Sequence, residues 1–357
     1  IKTTIKYKFF MKKLHFDETL FNDFFKSYKN SDIKPSKYWQ DYTNTIQNEI
    51  SKEGLEGFGS NYYLTKGFGD AKKIPARPKI RKTIKFKILY EILERFLAFY
   101  NHQRKQSLFK NFEKEKPLID FIKFSSNELK QLSKDLGVNR TYKIYRKDIP
   151  WRYIQSYAYL KMFFHIIKES KAEKDLNDLF RGNVLDIGGG YGPMLDNISI
   201  YKKFNKIGER TTNYLLDQYP VSFIANQYLK FRHGENLLCP ILKEKISSEE
   251  NRNEGQNFQV IQSNMANKIN NLKIKFFFNS NSFQEMDIEQ VQSYCSFIKK
   301  NKTEISYLGC FFYTTSITTT NNFLPSLTLL KEEFNLVGKI DSDNAGLIEG
   351  TMFLFKV

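Results

Sequence analysis

The sequence has little cysteine, little histidine and no long apolar run. Its three cysteines, Cys239, Cys295 and Cys310, lie far apart and form no CxxC pair. This excludes a disulfide framework and predicts reduced thiols in a cytoplasmic protein. The four histidines have no spacing with acidic residues that is typical of a metal site. No apolar run approaches the roughly 20 residues that a membrane-spanning helix needs.

Acidic residues are also scarce in the first half of the chain. Residues 1–182 hold 38 Lys and Arg against 21 Asp and Glu, whereas residues 183–357 hold 18 of each. The excess is densest in KKIPARPKIRKTIKFK (72–87), which has eight basic residues and no acid. Such a segment attracts phosphate groups, nucleic acid or an anionic membrane surface, or it is simply a solvated surface. The aromatic signatures of RNA-binding modules are missing.

The first half has a mainly helical pattern. Residues 14–50 and 86–180 carry apolar residues at helical spacing. In PWRYIQSYAYLKMFFHII (150–167), a proline suits the helix start, and a broad apolar face is formed by Ile154, Tyr157, Ala158, Leu160 and Phe164. The stretch 54–70 between the helical regions is rich in glycine and aromatic residues. It predicts a loop, of a kind suited to closing over a ligand.

From residue 183 onward, short apolar runs alternate with helical or polar stretches. Such runs are typical of strands in a parallel sheet covered on both faces, and the alternation predicts a doubly wound α/β domain. The predicted strands are NVLDI (183–187), NYLLD (213–217), FQVIQ (258–262), IKFFFN (274–279), ISYLGCFF (305–312) and TMFLFKV (351–357). The polar residues 243–257 predict an exposed loop. We therefore predict a helical, basic cap of residues 1–182 that binds substrate, a boundary near Gly182, and an α/β domain of residues 183–357.

A glycine cluster follows the first predicted strand. VLDIGGGYGPM (184–194) has glycine at 188, 189, 190 and 192. In an open parallel sheet, ligands bind beyond the carboxyl ends of the strands, and glycines let a ligand approach the backbone closely. Pro193 breaks the GxGxxG dinucleotide fingerprint, and Asp186 would repel a pyrophosphate. The pattern favours a ligand with positive charge, such as an amino group or a sulfonium, over an ordinary βα turn.

A second acid, Asp217, ends the next predicted strand. A carboxylate there can accept hydrogen bonds from two ribose hydroxyls. A glycine turn preceded by an acid and followed by a ribose-binding acid is the pattern of an S-adenosylmethionine (SAM) site. The sequence therefore predicts SAM as the cofactor and no metal, with a surface acid as the alternative for Asp217.

The chain resembles a known family in four segments. VLDIGGGYG is similar to the first motif of class I SAM-dependent methyltransferases. Three segments, ordered along the chain, resemble the sugar O-methyltransferase family: SKYWQDY (36–42), LLDQYPVSFIANQYL (215–229) and FFFNSNSFQEMDIEQVQSYCSFI (276–298). Gln218 and Tyr219 replace the family's Leu-Pro, and its Leu-Gly-Asn-Pro segment survives only as LGVN (136–139). The resemblance implies a Rossmann-like, seven-stranded class I methyltransferase sheet with an N-terminal helical cap.

The resemblance also implies a cofactor site. Asp186 would hold the methionine amino group, and Asp217 would take the ribose hydroxyls. Ser263 and Asn264, after the third strand, would flank the adenine, although they are neutral where the family has an acid. The remaining predicted cofactor-binding residues are Gly188, Gly189, Gly190, Tyr191, Gly192, Gln218 and Asn279.

The acceptor side of the site lies after the fourth predicted strand. Glu285 is the first candidate for the base that removes a hydroxyl proton, and His233 is the second. A Ser282-x-x-Glu285 capping box at a helix start is the alternative for this carboxylate. Asn281 and Ser282 would orient the acceptor. Tyr38 and Trp39 would stack on a sugar ring, or they pack the core of the helical half.

Together these features predict methyl transfer from SAM to a hydroxyl of a sugar or of a sugar-containing glycan or nucleotide-sugar precursor. The positive charge of the first half would suit a phosphorylated acceptor. Two other functions stay open: a non-catalytic protein that binds nucleic acid or a membrane surface on a SAM-like fold, and an RNA methyltransferase. The Asp186–Asp217 pair favours the enzyme. The absence of an Asn/Asp-Pro-Pro-aromatic motif after the fourth strand counts against methylation of a base nitrogen.

Overall fold

The structure is a computed structural model of the 357-residue chain. It describes residues 14–30, 37–55, 141–144, 147–171, 176–242, 255–313, 323–342 and 350–357, with Phe58 and Leu64. The helices are α1 (Glu18–Lys29), α2 (Lys37–Glu53), α3 (Trp151–Ser170), α4 (Leu176–Phe180), α5 (Pro193–Phe204), α6 (Val221–His233), α7 (Ile288–Asn301) and α8 (Phe323–Glu333). The strands are β1 (Thr141–Ile144), β2 (Lys147–Pro150), β3 (Asn183–Ile187), β4 (Thr212–Asp217), β5 (Asn257–Gln262), β6 (Ile274–Ser280), β7 (Lys302–Phe312), β8 (Asn335–Asp341) and β9 (Thr351–Lys356).

Seven strands form one sheet in the order β5-β4-β3-β6-β7-β9-β8. All run parallel except β9, which pairs antiparallel with both β7 and β8. The chain enters at β3, fills one side through β4 and β5, and then crosses back to β6. This order confirms the seven-stranded class I methyltransferase sheet. It also places the topological switch point, where ligands bind in such sheets, at the carboxyl end of β3.

All six predicted strands are confirmed, and their apolar runs explain why. Phe276, Phe277 and Phe278 of β6 are fully buried, because helices cover both faces of the sheet. Phe163 of α3 packs against Phe276 with ring centroids 4.3 Å apart. Cys295 and Cys310 are buried and Cys239 is exposed, and all three cysteines are free.

Helix α3 confirms the prediction for residues 150–167 and goes beyond it. The helix is buried on almost every side and packs against α5, β8 and β9. Of the predicted apolar face only Phe164 is half-buried, and the others are buried. A helix from the first half thus belongs to the layer that covers the sheet. The division into a cap and a catalytic domain near Gly182 stays a prediction.

The mainly helical pattern of residues 86–180 is interrupted by one hairpin in the part that the structure describes. Residues Thr141–Ile144 and Lys147–Pro150 pair as an antiparallel hairpin. Thr, Tyr and Ile in TYKIY favour extended backbone, because β-branched and aromatic side chains pack well on a pleated surface. Residues 86–140, the basic segment 72–87 and the loop 243–254 lie outside the described residues. Among the helices that are described, none is both long and apolar enough to cross a membrane.

Helix α1 packs against α6. Asp17 caps it, because its Oδ1 accepts a hydrogen bond from the backbone N–H of Leu20 at 3.0 Å. Phe21 and Phe24 are buried against Phe223 of α6, with ring centroids 5.0 and 5.8 Å away. These contacts bring the first helix to the helix that follows β4, next to the switch point.

Candidate active site

A cleft opens at the carboxyl ends of β3, β4, β5 and β6. Its empty volume is about 1460 Å³ with the open mouth included. Many residues predicted from the sequence line it: Trp39, Asp186, Gly188, Gly189, Gly190, Tyr191, Asp217, Gln218, Ser263, Asn264, Asn281, Ser282 and Glu285. Gly192, Asn279 and His233 are not part of its wall. Tyr38 lies in α2, and its side chain is outside the described part of the chain.

Asp186 is a buried carboxylate at the wall of this cleft. It is 1% exposed, and neither of its oxygens accepts a hydrogen bond from any residue that the structure describes. Burial, together with the nearby charge of Asp217, raises its pKa well above the usual range. A buried acceptor pair without a donor is costly. A cationic hydrogen-bond donor in the cleft would relieve that cost.

Asp217 lies one strand away and is held by backbone N–H groups. Gly190 N donates to its Oδ2 at 2.9 Å, and Gln218 N donates to its Oδ1 at 2.7 Å. Burial raises its pKa to about 7, although these two hydrogen bonds lower it. Each carboxylate oxygen has two lone pairs. The carboxylate can therefore still accept hydrogen bonds from a pair of hydroxyls.

The glycine turn is fixed by close contacts on both sides. Gly188 has φ +67°, and a Cβ there would overlap the Ser282 Oγ. A Cβ on Gly189 would lie 2.5 Å from Asp186 Oδ2, so the turn passes directly over that carboxylate. Gly192 precedes α5 with φ +104°, and an added Cβ would meet Leu229 at 3.2 Å. Gly192 therefore serves the packing of α5 on α6, and the wall of the cleft is formed by the three glycines before it.

We expect Gly188→Ala to destabilise the fold more than Gly54→Ala. Both glycines have similar positive φ values, +67° and +62°, so both variants carry the cost of left-handed backbone, about 1–2 kcal/mol. An added Cβ at Gly54 meets Phe16 at an ordinary 3.6 Å, whereas the one at Gly188 overlaps Ser282. The overlap should add about 1–3 kcal/mol, measured as the free energy of unfolding in urea. Equal losses of unfolding free energy in the two variants would show that the Ser282 side chain moves aside without cost.

Glu285 is the carboxylate on the other side of the cleft. It ends the 3-10 turn Ser282–Glu285, which follows β6, and it is half-buried. Burial raises its pKa to about 7; the charge of Arg152 lowers this pKa and that of Asp217 raises it. A carboxylate with this pKa is partly ionised at neutral pH and is matched to proton transfer there.

The capping box of Ser282 and Glu285, the alternative role for this carboxylate, does not form. Helix α7 begins at Ile288, and the backbone N–H of Asp287 donates to Gln290 Oε1 at 3.4 Å. The Ser282 hydroxyl donates instead to the carbonyl of Ile187 at 3.2 Å. The helix therefore takes its cap from the residues after Glu285, and Glu285 is left facing the cleft.

Asn279 and Asn281 have different roles. Asn279 is fully buried outside the cleft, and its Nδ2 donates to the carbonyl of Ile187 at 2.9 Å and to Ser282 Oγ at 2.5 Å. It braces the ends of β3 and β6, so its predicted cofactor contact is corrected to a supporting one. Asn281 lines the cleft; its Nδ2 donates to the Tyr159 hydroxyl at 3.3 Å. Its buried Oδ1 has no donor among the residues described.

The prediction of His233 as a base is corrected by its surroundings. Its Nε2 lies 3.2 Å from Asp196 Oδ1, and its ring stacks on Phe258 with centroids 3.7 Å apart. Arg232 Nε donates to the same carboxylate, at Oδ2, over 2.7 Å. Although burial alone would raise the pKa of Asp196, Arg232 and His233 hold it well below its usual range. His233 therefore belongs to a buried charge cluster between α5 and α6, away from the cleft.

Several residues of the cleft were not found from the sequence. Helix α3 contributes Arg152, Gln155 and Tyr159, and Tyr313 follows β7. Gln155 links them, since its Nε2 donates to the hydroxyls of Tyr159 at 3.0 Å and Tyr313 at 3.2 Å. Polar residues inside an otherwise apolar helix were the available signal. A buried glutamine and tyrosine on the same face of α3 indicate a shared polar partner.

Comparisons with known proteins give weak matches. No protein-family model and no curated protein matches the chain. A SAM-dependent methyltransferase from Aquifex aeolicus is 15% identical over 53% of this chain and 96% of that chain, with a TM-score of 0.33. One from Clostridium acetobutylicum is 9% identical over 57% of this chain and 92% of that chain, with a TM-score of 0.37. The pyocyanin biosynthetic protein PhzM is 14% identical over 55% of this chain, with a TM-score of 0.35, and the match spans 54% of PhzM.

These similarities are too low to transfer a substrate or a residue's role. The sheet order, with its single reversed strand, defines the chain as having the class I methyltransferase fold. The acid-bearing glycine turn lies where that fold binds its ligands. No group of three or more potential metal-ligating side chains occurs among the described residues.

Proposed function

We propose that this protein is a SAM-dependent O-methyltransferase that methylates a hydroxyl of a sugar or of a sugar-containing glycan or nucleotide-sugar precursor. The observation that carries the proposal is Asp186. A carboxylate that is buried, lacks a donor among the described residues and lies under a glycine turn is suited to binding a cationic donor from outside the protein. The amino group of a methionine moiety supplies one.

The polar groups along the cleft fit the rest of that cofactor. Neighbouring strands lie about 4.8 Å apart, and β3, β4 and β5 carry successive polar groups at their carboxyl ends. Asp186 on β3 would bind the amino group, and Asp217 on β4 would bind the ribose hydroxyls. Ser263 and Asn264, just after β5, would lie beside the base. The backbone of Gly188–Gly190 carries no side chains and so leaves room for the part of the cofactor that lies between Asp186 and Asp217.

The chemistry on the protein's side is the removal of one proton. When bound, SAM supplies a methyl group on a positively charged sulfur. Glu285 would accept the proton of the acceptor hydroxyl; in support, it lines the cleft, and burial raises its pKa to about 7. The network of Gln155, Tyr159 and Asn281 would orient that hydroxyl towards the methyl group.

The acceptor side of the cleft suits a sugar. Trp39 of α2 would provide aromatic surface, and the cleft wall also carries amide and hydroxyl groups from Gln155, Tyr159 and Tyr313. Sugars combine an apolar ring face with several hydroxyls. Aromatic faces together with a few placed polar groups provide both kinds of contact.

Calorimetry with SAM and with S-adenosylhomocysteine tests the cofactor. We expect both to bind wild type, and Asp217→Ala to weaken binding by about 1–3 kcal/mol because charge-assisted hydrogen bonds are lost. Glu209→Ala, which removes an exposed acid, is the control. If neither compound binds at millimolar concentration, the proposed function fails.

The acceptor is tested separately by mass spectrometry of methylated products. Simple sugars, nucleotide sugars and phenols are incubated with SAM and the enzyme. We expect methylation of a sugar hydroxyl. Turnover confined to phenols would overturn the sugar assignment and leave the O-methyltransferase assignment in place.

A further inference from the structure

Asn281 and Tyr313 lie next to each other at the end of the cleft that holds Glu285. Asn281 follows β6 directly, Tyr313 follows β7 directly, and both line the cleft. Their backbones are tied together, because Asn281 N donates to the carbonyl of Phe311 at 2.8 Å and Tyr313 N donates to Gln284 Oε1 at 2.9 Å. The two side chains are therefore presented from the ends of neighbouring strands.

Arg152 sets the direction of the hydrogen bonds that reach these two residues. A guanidinium group can only donate, so Gln155 faces it with Oε1, which accepts from Arg152 Nη1 at 2.6 Å. Gln155 Nε2 is therefore turned to the hydroxyl oxygens of Tyr159 at 3.0 Å and Tyr313 at 3.2 Å. Both tyrosine oxygens accept from the glutamine, and each tyrosine keeps its own proton to donate elsewhere.

The Tyr159 proton is used within the protein. Burial raises the pKa of Tyr159 well above its usual range, and a hydrogen bond with Tyr313 raises it as well. A hydrogen bond that raises this pKa favours the protonated form, in which Tyr159 is the donor. Tyr159 can then only accept from Asn281, whose Nδ2 lies 3.3 Å from its hydroxyl. The Asn281 Oδ1 remains; it is buried and receives no hydrogen bond from the residues that the structure describes.

The Tyr313 hydroxyl in turn keeps one proton. Its oxygen accepts from Gln155 and from Tyr159, and a hydroxyl oxygen has two lone pairs. The cleft wall thus offers one donor, the Tyr313 O–H, and one acceptor, the Asn281 Oδ1. A neutral ligand group that both donates and accepts satisfies the two together. An ether has no proton to donate, and a carboxylate would place its charge against the amide oxygen.

We infer that Asn281 and Tyr313 recognise a second group on the substrate sugar, next to the hydroxyl that is methylated: a neutral group with both a donor and an acceptor, either another hydroxyl or an acetamido group. This inference rests on the proposed function. It explains how the polar network orients the reacting hydroxyl, since the neighbouring group is held while Glu285 ends the short turn that begins just after Asn281. The substrate class is then a sugar with adjacent hydroxyls or an N-acetylated amino sugar.

The test compares sugars that differ in a single group. The methyl glycosides of glucose, galactose, mannose and N-acetylglucosamine are incubated with SAM and the full chain, and kcat/KM is measured by mass spectrometry. Each is also supplied with one hydroxyl, or the acetamido group, replaced by hydrogen. For the sugar that is methylated fastest, loss of the neighbouring group should lower kcat/KM about 10-fold to 100-fold, because two polar groups of the site are left unpaired. The group whose loss has this effect distinguishes a hydroxyl from an acetamido group.

Two variants test whether these side chains cause the effect. Asn281→Gly removes the amide but keeps the left-handed backbone at φ +69°, and Tyr313→Phe removes only the hydroxyl. Each should slow the complete sugar and hardly change the deoxy sugar, so that the ratio of their kcat/KM values falls at least about fivefold. The matched controls are Asn271→Gly, at an exposed residue with φ +60°, and Tyr201→Phe, which loses a hydrogen bond to Asn177 outside the cleft. Both should keep the wild-type ratio.

The outcomes separate this inference from the function on which it rests. If wild type methylates a sugar within about threefold of the same rate after the loss of any other group, the inference is overturned and the sugar assignment stands. Variants that slow the complete and the deoxy sugar equally would also overturn it, because such an effect is only structural. If no sugar is methylated, the proposed function fails and the inference falls with it. The wild-type comparison decides the question even if a variant does not fold.

Discussion

Asp186→Asn should lose most of its affinity for SAM while the free protein stays folded. Removing one member of a buried charged pair costs about 2–5 kcal/mol, which is roughly 30-fold or more in the dissociation constant. Without ligand the variant should melt at or above the wild-type temperature near neutral pH. The reason is that the pKa of Asp186 is raised in the folded state. A raised carboxyl pKa gives stability that is complete below the unfolded pKa and is lost as pH rises through the folded pKa.

The measurement is calorimetry for affinity and thermal unfolding for stability, at two pH values on either side of neutrality. Glu304→Gln removes a charge from an exposed position at the start of β7, at the opposite end of the sheet, and should change neither quantity. An Asn variant that binds SAM within about threefold of wild type would remove the observation on which the proposed function depends.

Glu285→Gln should lower kcat by about 10²–10⁴-fold, the usual contribution of a general base. Glutamine keeps the shape of the side chain but cannot accept the proton. Because the pKa of Glu285 is raised to about 7 and the ionised form is the base, wild-type kcat/KM should rise with pH through about 7 and then level off. The slow residual rate of the variant should not show this rise with pH.

The matched control is Glu289→Gln, which changes an exposed acid in the first turn of α7, four residues away. It should keep both the rate and the pH profile. SAM affinity and melting temperature should hold nearly constant in the Glu285 variant, since the residue does not cap α7. A fully active Glu285→Gln enzyme would exclude Glu285 as the base.

The sheet could be predicted because its strands are buried on both faces. Runs such as IKFFFN can be placed only in the interior, so their pattern alone indicates central strands. Strand β8 was missed because it lies at the edge of the sheet and is largely exposed, as Leu336 shows at 42% exposure. Its sequence, NLVGKID, has little apolar signal for that reason. The register of an edge strand depends on its partner β9, which a local pattern does not contain.

The acids on the β3 and β4 side of the cleft could be predicted from the sequence, and the rest of its lining only in part. Asp186 and Asp217 follow apolar strands directly, so local sequence places them at the switch point. The contributions of Arg152, Gln155 and Tyr28 come from helices far away in sequence, and only tertiary packing brings them to the cleft. His233 was misjudged because its charged partner, Asp196, lies on another helix. The sequence alone does not distinguish a histidine that packs beside a distant carboxylate from one that is available as a base.

Helix α3 has a consequence for how the protein is made. The side chains of Phe163 and Ile166 are buried against Phe276 of β6 and close to Gly338 of β8, and the helix also packs on β9. Those strands are synthesised about 100 to 180 residues after α3. At 5–20 residues per second, the ribosome needs roughly 5–40 s to supply them. Until those strands are made, the face of α3 that packs against them is uncovered, so we expect the nascent protein to present an apolar surface that a chaperone can bind.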